Sequence, residues 1–202
     1  REQARGIIRA AVNGTPDDQV IFCGSGAASG INKLIDIMGL RGSREAGTAD
    51  DAPVVFIGPY EHHSNELPWR ESIADVVVID EDCNGRIDLA LLEQKLIEYA
   101  DRPMRIGSFS AASNVTGIGS NTREISSLLH RYDALSFWDF AAAGPYVEIE
   151  MNMTDDAPDG HLIYKDAIFL SPHKFIGGPG TPGLLIAKKH LFKNRVPSQP
   201  GG

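Results

Sequence analysis

Short runs of consecutive apolar residues recur along this chain, and stretches with apolar residues three and four apart lie between many of them. The runs fall at residues 19–23, 54–57, 76–79, 105–109, 134–138, 167–170 and 183–187. Each is too short for a helix and reads as a strand. Those at 54–57 and 76–79 are continuous enough to be buried on both faces. The helical stretches begin at residues 1–13, where Ile7, Ile8, Ala11 and Val12 share a face. A second carries Ile31, Leu34, Ile35 and Met38. Asp88 is placed to cap a third through about Tyr99, with Leu89, Leu92, Leu96 and Ile97 inward, and Thr122 to cap a fourth with Ile125, Leu128 and Leu129. Residues 13–16 and 82–85 are turns, 41–53 a polar loop, and 151–165 a polar surface excursion without periodicity. Strands alternate with helices, which predicts an α/β domain: three layers, α/β/α, around a mostly parallel sheet.

In such sheets ligands gather where strands end. The chemically unusual residues fall there: 24–30, 61–65, 110–117, Asp139 and 171–174. Residues 171–180, SPHKFIGGPG, stand between two strands and place one lysine, Lys174, beside a histidine, a serine and a glycine-rich turn. A lysine in a turn can be simply solvated, or it can form a Schiff base with a carbonyl cofactor. Residues 24–30 form a strand-to-helix glycine loop that suits an anion, because backbone N–H groups and the helix dipole point at it. It is neither a Walker loop nor a dinucleotide fingerprint, since Ser29 stands where the third glycine would be. A tight turn of small residues explains it equally well. His62 and His63 are adjacent and point apart, which favours solvated rings, or one ring laid flat on an aromatic group, over a shared metal. Asp139 ends an apolar strand, where a carboxylate needs a partner or caps a turn.

Composition narrows the classes. Apolar residues make up 42% and charged residues 23% of 202, enough for one sizeable core. The net charge of -8 argues against nucleic acid, and no apolar run approaches the length of a membrane span. Two cysteines, Cys23 and Cys83, without a Cys-x-x-Cys pattern, fit a reducing, cytoplasmic setting.

Together, residues 61–69 (EHHSNELPW), 113–117 (SNVTG) and 171–180 resemble, in order, the motifs of the class V aminotransferase family of pyridoxal-phosphate enzymes, and most closely its cysteine desulfurase and selenocysteine lyase branch. The resemblance covers nearly the whole chain. It implies the large domain of the aspartate-aminotransferase-like fold and pyridoxal 5'-phosphate as cofactor. Lys174 would hold that cofactor and move the substrate's α-proton, His62 would stack on its ring, and Asp139 would pair with the ring nitrogen. Gly26, Ala27, Ala28, Ser171 and His173 would surround the phosphate, with Asn114 near the ring or substrate. No metal is implied. The expected substrate is an amino acid of cysteine type, the expected partners a second copy of the full-length protein and a sulfur-acceptor protein.

This chain departs from the family in three places. Ala28 stands where a hydroxyl residue usually bonds the phosphate, a bond worth about 1.5–3 kcal/mol. Ala142 replaces a common glutamine, and the 151–165 excursion lengthens the gap from Asp139 to Lys174. The resemblance also divides the chain into a cofactor-binding domain at 1–195 and, at 196–202, the start of a loop toward a small C-terminal domain. That domain would carry the carboxylate-binding arginine and the catalytic cysteine, since neither Cys23 nor Cys83 matches. The alternatives are another class V activity, a fold that binds without turnover, and, remotely, a metal-dependent hydrolase using His62, His63, His173 and Asp139.

Overall fold

The computed structural model describes residues 1–42 and 51–197. Seven strands form one sheet in the order β1-β7-β6-β5-β4-β2-β3, where β1 is Asp18–Cys23, β2 Val54–Ile57, β3 Asp75–Val78, β4 Arg105–Ser110, β5 Leu135–Asp139, β6 Ala167–Leu170 and β7 Gly183–Lys188. The pairs β2–β3, β2–β4, β4–β5 and β5–β6 are parallel, while β7 runs antiparallel to both β1 and β6. The sheet is thus mostly parallel, and every strand except β7 ends at the same edge.

Alternation along the strands sorts side chains into two cores. Val54, Phe56, Phe109, Trp138, Ile168 and Ile186 face α1 (Glu2–Ala11), α4 (Leu89–Glu98) and α5 (Thr122–Arg131). Val55, Ile57, Ile106, Phe137, Phe169 and Leu185 face α2 (Gly26–Ile37) and α3 (His63–Arg70). These are the three predicted layers.

Several local expectations need correction. Residues 76–79 were expected as a buried strand, but β3 is an edge strand and Val78 is 40% exposed. Ile7 and Ile97 point outward at 64% and 58% exposure, because each lies at the margin of its helix's apolar stripe. Asn121 caps α5 by accepting the Glu124 N–H, and Thr122 is the first helical residue. Asp88 caps α4 as expected, accepting the Ala90 and Leu91 N–H groups. Residues 63–70 form a helix that the periodicity did not predict, held inward by buried Asn65 and Trp69. Most of the 41–53 loop, and 198–202 of the terminal stretch, lie outside the described residues.

The 151–165 excursion is a surface loop only in part. Its middle is exposed, but Met151, Ile163 and Lys165 are buried. The loop is fastened by polar bonds. His130 Nδ1 lies 2.6 Å from Leu162 O and its Nε2 2.9 Å from Asp166 Oδ2, with Tyr164 stacked on its ring. Asn152 and Lys188 both reach buried Asp18. Because polar residues make these attachments, no apolar rhythm announces them.

At the other side of Asp18, the first helix closes the sheet margin. Arg5 Nε donates to Val20 O at 3.1 Å and Arg9 Nε to Asp18 O at 2.9 Å, so side chains one helical turn apart meet carbonyls two strand residues apart.

Candidate active site

The strand ends at the common edge enclose a cavity of about 220 Å³. Gly26, Ala27, Ala28, His62, Asn114, Asp139, Ser171, His173 and Lys174 all line it. They come from five separate stretches, brought together by the order of the strands. A larger open groove of about 930 Å³ along β1 and α2 contains none of them. A second cavity, of about 580 Å³, adjoins the first and shares Ala112, Asn114 and Ala142 with it.

One wall is the start of α2. Gly26 has φ +68, a left-handed conformation that suits glycine. A Cβ there would lie 2.9 Å from His173 Cε1 and 3.1 Å from Ser171 Oγ, so glycine is also what lets these side chains close in. The Ala27 N–H donates to Ser171 Oγ at 2.8 Å, which leaves the Ser171 O–H as a donor. A hydroxyl, a histidine and a helix N-terminus therefore share one corner, the donor set an anion such as a phosphate needs.

Asp139 ends β5 and is 4% exposed. Its Oδ1 accepts the Ala141 N–H at 2.8 Å, so it does cap a turn. Burial pushes its carboxyl up to about 6, against the pull of the Ala141 N–H and the Lys174 charge. A carboxylate held out of water at this cost suits a protonated ring nitrogen. Lys174 closes a 3-10 turn at Pro172–Lys174, directly after β6, and is exposed at the cavity mouth.

His62 caps α3. Its Nδ1 accepts the Ser64 N–H at 3.1 Å, which assigns its proton to Nε2. The His62 and His63 rings are 6.3 Å apart and tilted by 50°. Among the described residues, no group of three or more His, Cys, Asp or Glu side chains is placed to hold a metal ion. Asn114 sits in a loop whose Ser113 Oγ accepts the Val115 and Thr116 N–H groups. The side chains of Ala28 and Ala142, which both line the cavity, are methyl groups.

Sequence reasoning gave no role to Glu61, Ser64 or Ser110. Ser64 and Ser110 line the cavity. Glu61 lies behind it, and burial raises its carboxyl above the usual range, with the nearby Asp139 charge adding to the rise. Only its place before His62 in the 61–69 motif marked it.

The raised Asp139 has a consequence for stability. A folded-state pKa above the unfolded one favours folding when the group is protonated, and that contribution is lost as pH rises through about 6. In cofactor-free protein, Asp139→Asn is therefore expected to gain on the order of 3 kcal/mol over wild type at pH 8. The gain should fade as pH falls toward 4. Urea unfolding at both pH values measures it, and an equal or lower stability of the variant at pH 8 would contradict the burial cost.

The family model described as Aminotransferase class-V matches residues 1–202. A probable cysteine desulfurase of Halalkalibacterium halodurans is 26% identical over all of this chain and 45% of its own length. One from Chlamydia trachomatis is 28% identical over 99% of this chain and 45% of its own. The apo structure of a cysteine desulfurase from Thermococcus onnurineus superposes with a TM-score of 0.78 at 20% identity, covering 100% of this chain and 46% of that one, which shows a shared fold. The chain thus spans about 45% of the length of the relatives it matches. Among the described residues no helix is long and apolar enough to cross a membrane.

Proposed function

The chain belongs to the class V aminotransferase family, whose members use pyridoxal 5'-phosphate, and from that premise we propose that residues 1–195 are the cofactor-holding domain of an enzyme that cleaves the C–S bond of cysteine, leaving alanine and enzyme-bound sulfur. The observation that carries this reading is the convergence of Lys174, Asp139, His62 and Ser171 on one small cavity.

The bound cofactor supplies an electron sink that makes the α-proton of an amino acid removable. Lys174 would hold the cofactor at its carbonyl carbon; once the substrate's amine has displaced it there, its freed amine would take the α-proton and return it. Asp139 would keep a proton on the ring nitrogen, an arrangement that would also relieve its own buried charge. His62 supports one face of the ring. The Ser171 O–H, His173 and the start of α2 hold the phosphate, and Asn114 faces the substrate side. The side chains of Ala28 and Ala142 contribute shape and no hydrogen bond.

Two further parts belong outside residues 1–202 in this reading. Cys23 is half-buried and Cys83 exposed, and neither lines the cavity. The cysteine that takes the sulfur, and the arginine for the substrate carboxylate, are assigned to a small domain that the stretch from residue 196 leads toward. A second copy of the protein completes the site, and an acceptor protein removes the sulfur. A second reading, cofactor binding without turnover, draws on the methyl groups of Ala28 and Ala142.

The test compares the 202-residue chain with the intact protein for cofactor affinity and for alanine released from cysteine, with sulfide measured when a dithiol reductant is added to reduce the enzyme-bound sulfur. The intact protein is expected to bind cofactor more tightly and to turn over at least about tenfold faster, because it supplies preorganised contacts to phosphate and carboxylate. Equal turnover by the 202-residue chain would sink this division of the machinery. Cofactor bound without turnover by the intact protein would select the second reading.

A further inference from the structure

Glu61 is a half-buried acid that the mechanism above does not use. Its Oε1 accepts the Gly58 N–H at 3.2 Å and the Ser110 N–H at 2.9 Å. Its Oε2 accepts Asn65 Nδ2 at 2.8 Å and the Ser110 O–H at 2.6 Å. Four donors on two oxygens fill the lone-pair sites of a carboxylate and leave no acceptor for a carboxyl proton, so the group is ionised despite its burial.

The donors belong to three different elements. Gly58 leaves β2, Ser110 ends β4, and Asn65 lies in the first turns of α3. Asn65 also bonds Ser108 through both ends of its amide, and Ser108 Oγ takes the Trp69 indole N–H. The next residue after Glu61 is His62, whose ring lines the cavity, and Ser110 lines it too.

We propose that Glu61 is a positioning residue: its carboxylate locks the His62 turn onto the ends of β2 and β4, and so fixes where the imidazole lies over a bound ring. The idea rests on the cofactor reading above. Two strand ends and a helix start approach one another here, and a single anion satisfies one group from Gly58, one from Asn65 and two from Ser110. A neutral side chain of the same size would leave donors facing one another. A glutamine, for example, must turn an NH₂ toward either Gly58 and Ser110 N–H or Asn65 and Ser110 O–H. His62 caps its helix through Ser64, and its own carbonyl accepts the Asn65 N–H at 2.7 Å, so the turn that carries it is tied to the same Asn65 that bonds Glu61.

The experiment measures pyridoxal phosphate affinity and the circular dichroism of the bound cofactor in the intact protein. Glu61→Gln should raise the dissociation constant at least tenfold and weaken the dichroism per bound cofactor. Gly58→Ala provides a second variant that keeps every donor and the charge: a Cβ there would lie 2.8 Å from Glu61 Oε1, so it should displace the carboxylate and act in the same direction. In a His62→Ala background, Glu61→Gln should change affinity less than threefold, since the ring it positions is gone. Ser126→Ala, which disturbs the buried bonds to Trp138 and Ser136, serves as the control for general destabilisation and should leave affinity unchanged. The proposal is overturned by unchanged affinity and dichroism in Glu61→Gln, by a full tenfold loss in the His62→Ala background, or by an equal loss in Ser126→Ala. If the wild-type protein binds no cofactor at Lys174, it is the earlier reading that fails.

Discussion

Replacing Lys174 with alanine is expected to lower cysteine turnover of the intact protein by at least ~10³-fold, the scale of a lost positioned acid–base group. Lys174 is the only amine among the described residues lining the small cavity. It follows a strand whose residues are all buried, and its own N–H is tied to Ser171 O at 2.9 Å, so the backbone that presents the amine is fixed. Borohydride reduction in the presence of pyridoxal phosphate should add the cofactor's mass to Lys174. Lys165 is the instructive competitor. Burial pushes its ammonium down to about 8, against the Glu150 charge, so about a tenth of it is neutral at about pH 7. By reactivity alone it would be labelled first. It lines the adjoining cavity instead, is 2% exposed, and donates to Glu150 O at 2.8 Å. A label on Lys165 with Lys174 unmodified would remove Lys174 from the mechanism.

The second large effect concerns Asp139. Asp139→Asn should still permit cofactor attachment at Lys174, because an amide oxygen can accept the Ala141 N–H. It should nevertheless cost about 10²–10³-fold in turnover, as for the loss of one preorganised electrostatic contact. A neutral amide does not keep a proton on the ring nitrogen, and an unprotonated ring withdraws electrons less well. The same substitution is expected to stabilise the cofactor-free protein at pH 8, so stability and turnover should move in opposite directions. A mutation that merely damaged the fold would lower both. Near-wild-type turnover would show that the carboxylate is a turn cap and nothing more.

How much could be read beforehand followed from what each feature depends on. The runs at 54–57, 167–170 and 183–187 announced strands because both faces of those strands are covered. The run at 76–79 looked the same, yet apolar continuity cannot tell an edge from the middle, which depends on strand order. Helix α3 escaped because one of its two buried anchors is a polar asparagine and Pro68 lies within it. The residues 24–30, 61–65 and 171–174 stood out through unusual side chains at strand ends, so their meeting at one edge was foreseeable from the fold class. Glu61 was not assigned a role, because its bonds to Ser110 span 49 positions and nothing local encodes them. The polar fastening of residues 151–165 escaped for the same reason.

The two arginines that reach from α1 to the outer carbonyls of β1 bear on how copies of this protein can meet. Lys189 N–H bonds Asp17 O, so by antiparallel alternation Asp18 and Val20 turn their carbonyls away from β7. A bare strand margin is a template on which another chain can add a strand. Here Arg9 and Arg5 already occupy those two carbonyls, and each brings a positive charge that a second approaching margin would have to desolvate. Growth of the sheet from one molecule into the next is therefore opposed at Asp18 and Val20 of β1, and β3 is the other edge at which a strand could add.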